Sequence, residues 1–118
     1  MYPNMQIKKL LVSDKEVLTD GEGYLVNLEE WSEDFVRAQA MTEGLELTAE
    51  HWEVVHYLRG YWHKHGVQCE VRKMVKHFKA IWGAEWGSSR YLHHIFPRGG
   101  PQKQGNRLAG LLRTKGEH

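Results

Sequence analysis

Leu45-Glu46-Leu47-Thr48-Ala49-Glu50-His51-Trp52 decides the fold class, because no other segment of the 118-residue chain announces a helix start so clearly. Thr48 is a residue type that caps helix N-termini. Glu50 falls in the first turn, where the helix dipole favours negative charge, and Leu47 and Trp52 stand at the spacing of a hydrophobic staple. Trp52, Val55, Leu58 and Trp62 then recur at helical spacing, and Gly66 suits the left-handed position that ends a helix. After the turn Gly66-Val67-Gln68 a further helix is predicted. Val71, Met74, Val75, Phe78 and Trp82 form its inner face and Arg72, Lys73, Lys76 and Lys79 project from its outer one. Two helices joined by a short Gly-containing turn make a helix-turn-helix-like pair, and four cations within about two turns suit successive phosphates of a nucleic acid.

On the N-terminal side, Ser32 can cap another helix that runs to about Glu43 and stops at Gly44, with Glu33 and Asp34 in its first turn and Trp31 placed to staple onto Val36. Further back, Gln6 to Asn27 has β-branched and apolar residues around two polar turns, Ser13-Asp14-Lys15-Glu16 and Asp20-Gly21-Glu22-Gly23, which predicts a small antiparallel hairpin or meander. On the C-terminal side, Gly87-Ser88-Ser89 opens a short helix through Leu92, Ile95 and Phe96, stopped by Pro97 and Gly99-Gly100-Pro101. The remainder is polar, with only Leu108, Leu111 and Leu112 as anchors, so residues 99–118 are predicted to form a mobile arm. The fold class expected is α+β and predominantly helical: a β-hairpin packed on a helical bundle, in one domain spanning 1–118.

Hydrophobic residues make up 41% and charged residues 26%, enough apolar surface for a packed core and unlike a disordered chain. No apolar run approaches the roughly 20 residues that cross a bilayer, and Met1 to Leu11 lacks a long apolar segment, so a cytoplasmic location without membrane contact is expected. The single cysteine, Cys69, excludes an internal disulfide, a multi-thiolate zinc site and a two-thiol redox pair. The net charge of +1 conceals a division: residues 1–58 hold four basic and twelve acidic side chains, residues 59–118 twelve basic and three acidic. Such asymmetry suits either an anionic partner or the folding of one half against the other.

Taken together in this order, the segments resemble the DsrC/TusE family nearly end to end. Asp20-Gly21-Glu22-Gly23-Tyr24-Leu25 is similar to the family's early turn, Leu47-Thr48-Ala49-Glu50-His51-Trp52 to its LT-x-EHW segment, and Gly87-Ser88-Ser89-Arg90-Tyr91-Leu92 to its GNS-basic-YL segment. Phe96-Pro97, Gly100-Pro101-Gln102-Lys103-Gln104 and Ala109-Gly110-Leu111 resemble its C-terminal motif, with one extra residue between Pro97 and Lys103. The resemblance implies a protein of dissimilatory sulfur metabolism or tRNA thiolation, with sulfite-reductase-like or sulfur-relay complexes as partners. Its members carry sulfur on a cysteine next to last in the arm, and DsrC proper adds a second one eleven positions earlier; those positions hold Glu117 and Asn106 here. Neither carboxylate nor amide can form a persulfide. The family's Leu-Pro-Lys-Pro ending appears as Leu111-Leu112-Arg113-Thr114, which departs from the form that docks into a sulfite reductase channel. Lys103, Arg107 and Arg113 remain as cations for a partner-binding arm.

Cys69, ahead of a predicted helix and near Arg72 and Lys73, could have its thiol activated, but single cysteines are among the most buried residues. His56, His63 and His65, or the adjacent His93 and His94, lack the spacing and the carboxylate or thiolate partners of a zinc site, so neither metal nor cofactor is expected. Three roles stay open: a regulatory relative that binds DNA or sulfur-pathway proteins, a protein-only decoy or assembly factor, and a sulfurtransferase that uses Cys69. The sequence leaves the oligomeric state open.

Overall fold

The computed structural model describes residues 6–113. Strands β1 (Lys8–Val12) and β2 (Lys15–Thr19) pair antiparallel, with Leu10 opposite Val17 and Val12 opposite Lys15. Ser13 and Asp14 form the two-residue loop at φ 46° and 68°, the double left-handed turn whose twist matches a right-twisted hairpin. Ser32 caps α1 (Glu33–Thr42), its hydroxyl accepting from the Phe35 N–H at 3.0 Å, as its residue type predicts. α2 spans Ala49–His65, α3 Val71–Trp82, α4 Ser89–Ile95 and α5 Gly100–Leu108. The expected α+β class, a hairpin on a helical bundle, is what forms. None of these helices is long and apolar enough to cross a membrane.

Phe35, Val36, Val54, Val55, Leu58, Met74, Phe78, Leu92, Phe96 and Leu108 belong to one buried cluster, so hairpin, bundle and α5 share a core. Within α2 the buried row is His51, Val54, Val55 and Leu58, and the tryptophans predicted to share it, Trp52 and Trp62, sit half-buried beside it. A large indole overhangs a helix stripe more readily than it fits under it. At Thr48 the capping box forms with His51 where Glu or Gln is usual: the Thr48 N–H donates to His51 Nδ1 at 2.9 Å. The other ring nitrogen, Nε2, lies 2.6 Å from the Ile95 carbonyl, so a single imidazole with its hydrogen on Nε2 ties the start of α2 to the end of α4.

The C-terminal segment departs from expectation. Residues 100–108, read from their polarity as part of a mobile arm, form a helix in which Pro101, Gln104, Gly105, Asn106, Arg107 and Leu108 are buried against α2, α4 and α1. Gly105 permits the contact with α2, because a Cβ there would come within 3.0 Å of Leu58 Cδ1. The packing continues through Ala109 and Leu111, and Leu112 is the first exposed residue after it. Polarity misled because the polar groups find partners inside the chain.

Candidate functional site: the arm root and the basic helix

Two groups of cations singled out from the sequence end in opposite surroundings. At the root of the arm, Glu43 is buried at the end of α1 and receives a complete set of donors from elsewhere in the chain. Its Oε2 accepts from Gln39 Nε2 at 2.7 Å and Arg107 Nε at 2.9 Å, and its Oε1 from Gln104 Nε2 at 2.8 Å and Arg107 Nη2. Burial pushes this carboxyl up, but hydrogen bonds from Arg107 and Gln39 and the guanidinium charge outweigh it and hold it below the ordinary carboxylate range. Arg107 is only 4% exposed and also donates to the Arg98 carbonyl at 3.2 Å. Arg107, expected among the cations of a partner-binding arm, is thus held inside the chain by a bidentate carboxylate.

Arg113 is committed in a similar way. Its Nη2 donates to Asp20 Oδ2 at 3.0 Å, its Nη1 meets Glu22, and its guanidinium lies 4.5 Å from the Tyr24 ring centre. Asp20 is 1% exposed, and its other oxygen accepts the backbone N–H groups of Glu22, Gly23 and Tyr24, an Asx-type closure of the Asp20-Gly21-Glu22-Gly23 turn. Lys103 pairs with Glu22 at 3.6 Å and stays partly exposed. The three arm cations thus meet carboxylates of the acidic N-terminal half, and part of the charge asymmetry is resolved within the fold. Trp31 and Arg59 complete the root. Trp31 Nε1 donates to the Leu108 carbonyl at 2.9 Å and Arg59 Nη1 to that of Ala109 at 2.8 Å, so two donors serve the negative end of α5.

Of the two positions that the family resemblance aligns with sulfur-carrying cysteines, Asn106 is fully buried in α5, its Nδ2 donating to Gln102 O at 2.6 Å while its Oδ1 has no partner among the described residues. Glu117 lies outside the described residues. Cys69 is 0% exposed. Burial pushes its thiol up, against smaller opposing effects from Tyr57 and Lys73, so the activation that its place ahead of α3 suggested is not realised.

On α3 the outcome is reversed. Arg72, Lys73, Lys76 and Lys79 are all exposed, and none forms an ion pair with a described carboxylate. Helical spacing places Arg72, Lys76 and Lys79 on one side and turns Lys73 toward α2, where its ammonium donates to the Tyr61 hydroxyl at 3.0 Å. The link between α2 and α3 runs from 66 to 70, longer than the three-residue turn predicted, and Gln68 in it donates to the Leu112 carbonyl. Among the described residues no group of three or more His, Cys, Asp or Glu side chains is arranged to hold a metal ion.

Sequence reasoning missed Asp20, Glu43, His51 and Arg59 as organising residues. Asp20 carried a signal in its turn motif; the others meet their long-range partners, Arg107 and Gln104 for Glu43, Ile95 for His51 and Ala109 for Arg59, only once distant segments are packed.

A family profile described as "DsrC like protein" matches residues 11–116. The sulfurtransferase TusE of Salmonella choleraesuis is 45% identical over 102 residues, 86% of this chain and 93% of that protein. The sulfurtransferase TusE homolog of Haemophilus influenzae is 43% identical with the same coverage. Among solved structures, that of Allochromatium vinosum DsrC by NMR superposes with a TM-score of 0.82 at 37% identity, covering 94% of this chain and 98% of that one. The oxidized gamma-subunit of the dissimilatory sulfite reductase from Archaeoglobus fulgidus superposes with a TM-score of 0.81 at 36% identity, covering 92% and 98%.

Proposed function

The chain belongs to the DsrC-like family, and on that premise we propose that it serves sulfur metabolism as a binding, regulatory member that carries no sulfur itself. Its relatives include proteins named sulfurtransferase TusE and a subunit of dissimilatory sulfite reductase, which makes sulfur-relay or sulfite-reductase-like proteins of the cytoplasm its natural partners. The observation that carries the non-carrier reading is the state of Cys69: the only thiol in the sequence is fully buried and its pKa is raised. A persulfide forms through an accessible thiolate, and Asn106 and Glu117 supply none.

The test is intact-mass and peptide mapping after incubation with a persulfide donor that loads a TusE relative in parallel. The chain gains no sulfur, and Glu117→Cys gains one atom at the introduced thiol. Loading of the unaltered chain on Cys69 would return it to the sulfurtransferases.

A second reading, nucleic-acid binding through the α2–α3 pair, is favoured by the four exposed cations without carboxylate partners among the described residues. It requires affinity that falls steeply with salt, since each phosphate contact releases condensed counterions.

A further inference from the structure

A cavity of about 270 Å3 opens where α2 meets the segment that follows α5. Arg59, Trp62 and His63 stand three and four residues apart and so share one face of α2. The other walls come from Leu28 and Trp31, at the start and the cap of the 3-10 turn Leu28–Glu30, and from Gly110 and Leu111. Gly110, at φ 71°, lies so close to Trp31 that a Cβ there would overlap the indole, so this wall is packed in place.

The unexplained group in this cavity is Arg59. Its guanidinium is half-buried and lies 3.8 Å from the centre of the Trp31 ring. One of its N–H groups donates to the Ala109 carbonyl, and no carboxylate among the described residues forms an ion pair with it. Burial pulls its pKa down. Arg107 and Arg113, drawn into the same fold, each meet a carboxylate, whereas the helix-end carbonyl that Arg59 meets brings only a partial charge. A guanidinium carries more donors than that one carbonyl uses, and the remaining fork has no partner among the described residues. Glu29 and His63 stand at the rim, both exposed and neither in an ion pair with a described residue.

We propose that this cavity binds a small organic carboxylate, with its carboxyl group on the free fork of Arg59 and its apolar body against Leu28, Trp62 and Leu111. Small-molecule sites begin at roughly 300 Å3, so the occupant is a single ring or a short chain. A compact inorganic oxyanion leaves the apolar walls uncovered and gives up more hydration than one guanidinium returns. The occupant touches Gly110 and Leu111, so its presence is felt where the chain leaves α5.

The experiment titrates the full 15N-labelled chain with phenylacetate at constant ionic strength, with the uncharged phenylacetamide and inorganic phosphate as comparators. Phenylacetate shifts the Trp31 and Trp62 indole N–H signals and the Gly110 amide, saturates in the millimolar range expected of so small a ligand, and binds about tenfold or more tighter than the amide. Phosphate gives no saturable shift. Arg59→Met removes the preference for acid over amide. At the exposed rim, His63→Glu weakens phenylacetate several-fold and Glu29→Gln tightens it, while the urea midpoint stays unchanged in both. No saturable shift, equal binding of acid and amide, the same shifts from phosphate, or a preference that survives Arg59→Met would overturn the proposal. Should Arg59→Met fail to fold, the two rim variants decide it: opposite signs support the site, and no effect from either overturns it.

Discussion

The arm root and α3 carry similar numbers of cations from the same basic half of the chain, and they behave as opposites. Arg107 and Arg113 are drawn inside by Glu43, Asp20 and Glu22, while Arg72, Lys76 and Lys79 face water with no carboxylate partner among the described residues. Charge in a sequence therefore does not measure charge available to a partner. What decides it is whether the fold brings a carboxylate within hydrogen-bond reach and removes water from around the pair.

Removing a cation from each region should separate them most sharply. Arg107→Ala leaves Glu43 buried and ionised without its main partner and is expected to cost about 3–5 kcal/mol, read from urea unfolding. Arg107→Met combined with Glu43→Met should recover most of that loss, since no charge is then left uncompensated. If the single replacement costs less than ~1 kcal/mol, the root is no more committed than the surface of α3. Arg113→Ala is expected to cost less, about 1–3 kcal/mol, because Asp20 keeps its three backbone donors.

Acid should reveal the same division. The carboxyl of Glu43 lies below its unfolded value, so its contribution is fully present above about pH 4.3 and is lost as pH falls through the lowered folded value. Unfolding free energy measured from neutral to acidic pH should therefore fall in that window, and Glu43→Gln should flatten that fall at the expense of stability at neutral pH. An unchanged pH profile in Glu43→Gln would place the acid sensitivity elsewhere.

The smallest expected effect on folding, and the sharpest on binding, is at α3. Lys76→Ala with Lys79→Ala should alter stability by no more than ~0.5 kcal/mol. If duplex DNA is a partner, the same pair should reduce the slope of log affinity against log salt by about two units, at roughly 0.9 per phosphate contact. No binding at the lowest salt, or no change on substitution, would leave a protein as the partner of this face.

Much of the fold was legible before any coordinates. The caps at Ser32 and Thr48, the stop at Gly66 and the Val71–Trp82 inner face all rest on interactions within one turn or one helix, which neighbouring residues specify by themselves. The absence of a thiol from positions 106 and 117 was equally a property of the sequence. The ending of the chain was not legible in this way. Gln102 to Arg107 looks like a solvated tail because its residues are polar, and it becomes buried helix because Glu43, sixty and more residues away, satisfies Gln104 and Arg107. The same holds for His51, whose second bond goes to Ile95, and for Cys69, whose thiol is buried in the core that Met74 and Phe78 share. Local rules fix helices, caps and turns. Whether a charge or a thiol is free to act depends on long-range packing and the water it removes, and only the tertiary structure decides that.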